Sequence, residues 1–107
     1  MKKLLLFLFL ICITASVYPQ SPEIKAKLKM LMNDEPKVKD YVLTDANVFY
    51  ASVLDDGTNR NGYAQYLYYA LKGENIKLFK VVVVRLGSQK DPKRDNAYGV
   101  KLGEYKE

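Results

Sequence analysis

The chain has 107 residues, with Lys+Arg 17 against Asp+Glu 12, a formal charge of +5, one cysteine and no histidine. That length allows one small domain with a modest core, and the absence of histidine excludes Ser-His-Asp and Cys-His nucleophilic chemistry. The basic excess is mild and has no dense run, so it permits acidic partners but does not point to nucleic acid.

Lys2 and Lys3 precede an apolar run from Leu4 to Ile13, followed by the small residues Thr14, Ala15 and Ser16. This order of charged, apolar and small segments is that of a secretory signal peptide, and the run is short for crossing a bilayer. Residues 1–16 are therefore expected to be removed, leaving 17–107 as a single small α/β domain that is periplasmic or secreted. Removal takes Cys12 with it, so the mature chain has no disulfide, thiol nucleophile or Cys-ligated metal. Acylation at Cys12, as in a lipoprotein, is a lesser alternative, because the bulky Ile11 before it fits that processing poorly. Loss of Lys2 and Lys3 leaves a charge of +3.

Ser21, Pro22 and Glu23 form a helix start: a capping hydroxyl, a proline at the first helical position and an early acid. Ile24, Leu28 and Leu31 then recur on one face, with Lys25, Lys27 and Lys29 between them, which predicts an amphipathic helix ending near Asn33 and Asp34, before Pro36. Its lysines would also suit a membrane surface, although one packed and one solvated face is the simpler reading. Residues 38–47 fit a helical turn or an irregular connector equally well. The stretch NVFYASVL, from Asn47 to Leu54, is rich in β-formers and predicts the first strand.

A second helix is expected from about Asn59 to Lys72, with Gly73 closing it. Ala64, Leu67, Tyr68 and Leu71 share its inner face at 100° per residue, and Tyr66 and Tyr69 fall outside. IKLFKVVVVRL, from Ile76 to Leu86, predicts a central strand buried on both faces. Tyr98, Val100 and Leu102 alternate with Gly99, Lys101 and Gly103, the pattern of a last strand with one wet face.

These elements imply a two-layer α/β or α+β fold. A small three-stranded mixed sheet, made by a β-α-β crossover and an antiparallel C-terminal strand, packs with two helices. The crossover makes the first two strands parallel, so the loops that follow them leave at one end of the sheet, where ligands bind in open α/β sheets. Asp55, Asp56, Thr58, Asn59, Arg60 and Asn61 of one loop are thus expected near Lys90, Asp91, Lys93, Arg94, Asp95 and Asn96 of the other.

The same residues have an account without a ligand. Asp55, Asp56 and Gly57 would make a turn, Thr58 or Asn59 would cap the helix, and Arg60 would pair with an aspartate across the loop. Calcium is opposed by Arg60 and Arg94 and by the lack of EF-hand spacing, so no metal, cofactor or catalytic residue is assigned. Tyr66 and Tyr69 are either covered by the first helix or form an aromatic partner surface.

The stretches VLDDGTNRNGYAQYL and DPKRDNAYGVKLGE resemble small exported bacterial proteins of unassigned function. Those proteins carry a DDGT loop before a tyrosine-rich helix and an NAYG segment before the last strand. The resemblance covers the larger, C-terminal part of the chain and implies a shared design around the two loops, with no functional residue to transfer.

The expected function is an exported, non-enzymatic binding module for a partner protein or envelope component. Its ligand residues would be Asp55, Asp56, Thr58, Asn59, Arg60, Asp91, Arg94, Asp95 and Asn96, with Tyr66 and Tyr69 as a possible partner surface. Two alternatives remain: a small hydrolase or transferase using loop aspartates with Arg60 and Arg94, and an envelope protein held at a membrane by its first helix.

Overall fold

The computed structural model describes residues 22–107. The expected signal peptide, with Cys12, and the capping Ser21 lie outside the described residues. Helix α1 spans Pro22–Asn33. Its Leu28 and Met32 are buried, and Ile24 and Leu31 pack against the same core, while Lys25 and Lys29 face outward. The apolar stripe of α1 is thus used by the protein interior.

Four strands follow the order β1-β2-β3-β4: β1 (Asp40–Leu43), β2 (Val48–Val53), β3 (Lys80–Arg85) and β4 (Lys101–Tyr105). The first pair is antiparallel, β2 and β3 are parallel, and β3 and β4 are antiparallel. The mixed sheet and its two helices match the expected architecture, with one strand more. That strand, β1, comes from the stretch whose conformation was open; it has four residues and owes its form to pairing with β2. Thr44 and Asn47 make the hairpin turn between them, the Asn47 N–H donating to the Thr44 carbonyl at 3.0 Å with φ of 62°.

Helix α2 (Asn61–Gly73) crosses between β2 and β3 and buries Ala64, Leu67, Tyr68 and Leu71, the face its periodicity predicts. Gly73 remains helical; the left-handed residue that closes the helix is Asn75, with φ of 62°. An asparagine tolerates this conformation because its short polar side chain satisfies nearby backbone.

The helix-facing residues Phe49, Ala51, Val53, Val81 and Val83 form one core with both helices, each large apolar side chain contributing about 1.5–3 kcal/mol. On the opposite face Val48, Val82 and Val84 are also buried, beside Tyr50. Neither α1 nor α2 lies on this face; the connection from β3 to β4 folds back over it, and its Tyr98 ring stacks on Tyr50 at 4.1 Å. Tyr98 is therefore outside the last strand, which begins at Lys101. Between Asn96 and Gly99 the chain makes a tight turn, with Gly99 at φ of 133°.

The entry of α2 rests on β4. At Gly103 a Cβ would lie 2.3 Å from the carbonyl carbon of Arg60 and 2.4 Å from the amide nitrogen of Asn61, so only glycine admits this approach. The Arg60 N–H donates to the Leu102 carbonyl at 3.1 Å, and the Glu104 N–H donates to Asn61 Oδ1 at 2.9 Å.

Candidate functional site

The connection from β2 to α2 is built by its own side chains. Asp55 Oδ1 accepts the Gly57 N–H at 2.9 Å, and Asp56 Oδ1 accepts the N–H and the hydroxyl of Thr58. Gly57, with φ of 84°, permits the tight bend between these two turns. Asn59 Oδ1 accepts the Asn61 N–H at 2.8 Å, so its side chain satisfies one helix-start donor while Arg60 occupies the capping position. Asp55, Asp56, Thr58 and Asn59 are thus structural in the first instance.

Arg60 is different. It is only 8 % exposed, its Nη2 donates to the Leu54 carbonyl at 3.1 Å, and the same nitrogen lies 3.3 Å from Asp56 Oδ2. Its Nε is buried and has no hydrogen-bond partner among the described residues. A buried donor without a partner costs on the order of 1–3 kcal/mol, and such groups in native structures mark an ion, a water or a function. Thr58 hydrogen bonds, and then the Arg60 charge, hold the Asp56 carboxyl below its ordinary value. A carboxyl kept ionised in this way is a poor proton donor for general acid catalysis.

Arg60 and Asp56 form one wall of a cleft of about 290 Å³ that also includes Pro36, Lys37, Lys39, Val53 and Leu54. Three cationic side chains thus meet one carboxylate that is already engaged by Arg60 and Thr58. The Lys37 ammonium sits 5.6 Å from the centre of the Tyr63 ring, which places its charge above an aromatic face. The apolar part of the wall comes from the end of β2 and from Pro36.

Lys37 and Lys39 are the cleft residues that the sequence reading did not select. They belong to the link from α1 into β1, and the β1–β2 pairing brings them beside the end of β2: the Lys39 N–H donates to the Ser52 carbonyl at 2.9 Å. The signal available was the alternation in PKVKD, which puts two lysines on one side of an extended segment.

The second loop does not join this cleft. Parallel β2 and β3 do send both connections from the same end of the sheet, but they turn to opposite faces. Asp91 pairs with Arg85 and accepts the Lys93 N–H, the latter bond contributing most to lowering its carboxyl pKa. Arg94 reaches the Asp91 carbonyl, Asp95 Oδ1 accepts the Lys101 N–H at 2.9 Å, and Asn96 Oδ1 accepts the Tyr98 N–H at 2.8 Å. Among the described residues these groups bond within their own connection, and Asp91, Arg94, Asp95 and Asn96 are not part of the Arg60 cleft.

Tyr66 and Tyr69 are 52 % and 47 % exposed, so α1 does not cover them. Their hydroxyls are nevertheless engaged. Tyr66 and Tyr63 donate to the two oxygens of Glu35 at 2.7 and 2.8 Å, and Tyr69 is 2.9 Å from the Tyr105 hydroxyl and 3.0 Å from Glu107 Oε2. These bonds fasten α2 to the link after α1 and to the chain end.

Among the described residues no group of three or more His, Cys, Asp or Glu is placed to hold a metal ion, and no helix is long and apolar enough to cross a membrane. Compared with protein-family models, curated proteins and solved structures, the chain shows no match.

Proposed function

We propose that the protein is an exported, non-enzymatic binding module that takes an anionic group into the cleft beside Arg60. The observation that carries this reading is the buried guanidinium whose Nε has no partner, in a cleft that also holds Lys37 and Lys39. A ligand carboxylate or phosphate would add charge-assisted hydrogen bonds from the cations, and Pro36, Val53 and Leu54 would receive an apolar part of the same ligand. The basic start, apolar run and small residues of the first sixteen positions support export. The self-satisfied turns of the loop support a preformed site, which keeps the ordering cost of binding low.

The test is a titration of the mature protein with inorganic phosphate and with benzoate at low salt, followed by thermal melting and calorimetry. Binding that raises the melting temperature, weakens with added salt and falls by more than about tenfold in Arg60→Met supports the reading. Anion responses that are identical in the wild type and a folded Arg60→Met variant, or absent from both, would sink it.

A further inference from the structure

A second cleft lies on the other face of the sheet, away from both helices. The β1–β2 register sets Asp40 opposite Ser52 and Val42 opposite Tyr50, so these four side chains share that face. Tyr98 stacks on Tyr50 with the ring planes 25° apart, and Gln89 from the β3–β4 connection completes a cleft of about 190 Å³.

Ser52 is the unusual residue here. It is 6 % exposed on a face whose other buried members are valines. It lines the cleft, where its hydroxyl is available to a ligand. A hydroxyl placed in a cleft can both donate and accept a hydrogen bond. Asp40 accepts the Tyr41 N–H through Oδ1 at 2.9 Å, which leaves its other carboxylate oxygen for a donor. Gln89 offers both an amide donor and an acceptor.

The cleft therefore combines an aromatic and aliphatic wall with three polar groups, of which Asp40 alone is charged. Asp40 repels anions and favours a ligand that brings hydrogen-bond donors. The aromatic wall favours a flat C–H surface, and the volume admits about one ring. A single molecule that presents hydroxyl donors and acceptors around its rim and C–H groups on its face is a sugar.

We propose that this cleft is a subsite for one neutral pyranose ring, stacked on the Tyr50–Tyr98 pair with its hydroxyls bonded to Asp40, Ser52 and Gln89. The ring lies against the sheet where the loop after β3 folds back, so binding also fastens that connection. The site is independent of the Arg60 cleft, from which the sheet itself separates it.

The test uses isotope-labelled mature protein titrated with methyl β-glucopyranoside, methyl β-galactopyranoside and N-acetylglucosamine, with amide shifts followed at Ser52, Gln89 and Tyr98. At least one sugar is expected to shift these amides saturably, and Ser52→Ala and Asp40→Asn are each expected to weaken it about five- to tenfold. Arg60→Met should leave that affinity unchanged, which separates this site from the anion site. Tyr98→Ala should abolish binding, but it also removes the ring stacked on Tyr50, so the two polar variants decide. The proposal is overturned if no sugar shifts these amides, if Ser52→Ala and Asp40→Asn bind as tightly as the wild type, or if methylammonium alone perturbs them.

Discussion

The connections after β2 and after β3 start at the same end of the sheet with similar residues: two aspartates, an asparagine and an arginine, with glycine in each. They differ in how their polar groups are matched. The β3–β4 connection closes on itself through Arg85–Asp91, Asp95 with the Lys101 amide, and Asn96 with the Tyr98 amide, and stacks Tyr98 on Tyr50. The β2–α2 connection satisfies its backbone with Asp55, Asp56 and Asn59 yet leaves a buried guanidinium nitrogen without a partner. Composition alone does not tell the two connections apart; they differ in that one leaves a buried guanidinium nitrogen unmatched.

The strongest way to break this comparison is Gly103→Ala. The added methyl meets the backbone of Arg60 and Asn61, so α2 must shift, at about 1–3 kcal/mol or more and a fall in melting temperature of about 4–8 °C for each kcal/mol. Its phosphate response should fall as well, because Arg60 moves with the helix. An unchanged melting curve would refute the close approach.

Ser88→Ala acts on the β3–β4 connection. Ser88 is 1 % exposed, and its Oγ accepts the Val100 N–H at 2.8 Å while donating to the Arg85 carbonyl. Its loss strands the buried amide at about 1–3 kcal/mol. Chemical denaturation should register that cost, while phosphate affinity stays at the wild-type value.

Arg60→Met should act on both. Losing the hydrogen bond to the Leu54 carbonyl and the pair with the half-exposed Asp56 costs about 1–2 kcal/mol of stability, while phosphate affinity falls more than about tenfold. A large loss of stability would make Arg60 a structural residue first.

The smallest expected effects come from pH. Asp56 and Asp91 both have lowered pKa values, so each contributes stability above the ordinary carboxylate value of 3.8 that is lost as pH falls through its lowered value. Asp56→Asn and Asp91→Asn should each flatten the acid limb of stability, one from either connection. On the alkaline side, burial and Glu35 raise Tyr63, and the hydrogen bond to Glu35 raises Tyr66. Their neutral forms are favoured in the folded state, so stability is complete below the ordinary value of 10.0 and declines as pH rises beyond it. Glu35→Gln should make that decline shallower in denaturation curves taken between neutral and strongly alkaline pH.

Much of the architecture was legible because its signals are local. Four valines in a row, a run of β-formers from Asn47 and the 100° spacing of Ala64, Leu67, Tyr68 and Leu71 each declare an element without help from the rest of the chain. Strand β1 was not legible, because four residues carry too little periodicity and their conformation is fixed by a partner strand. The early start assigned to the last strand has a similar cause: Tyr98 alternates with glycine as a strand residue would, but it ends a turn and packs on Tyr50. In the cleft, Asp56 and Arg60 were found because one loop contains both. Lys37 and Lys39 were not, because only the β1–β2 pairing brings them there.

The seating of α2 on β4 also affects how the protein behaves among copies of itself. An open sheet exposes unpaired amides and carbonyls along its outer strands, and such edges recruit further strands into aggregates. On β4 the outward Leu102 carbonyl is taken by the Arg60 N–H, and the outward Glu104 N–H by the Asn61 side chain. A foreign strand would have to displace the first turn of α2 before it could add there, so the helix start that positions the guanidinium also blocks growth of the sheet at the β4 edge.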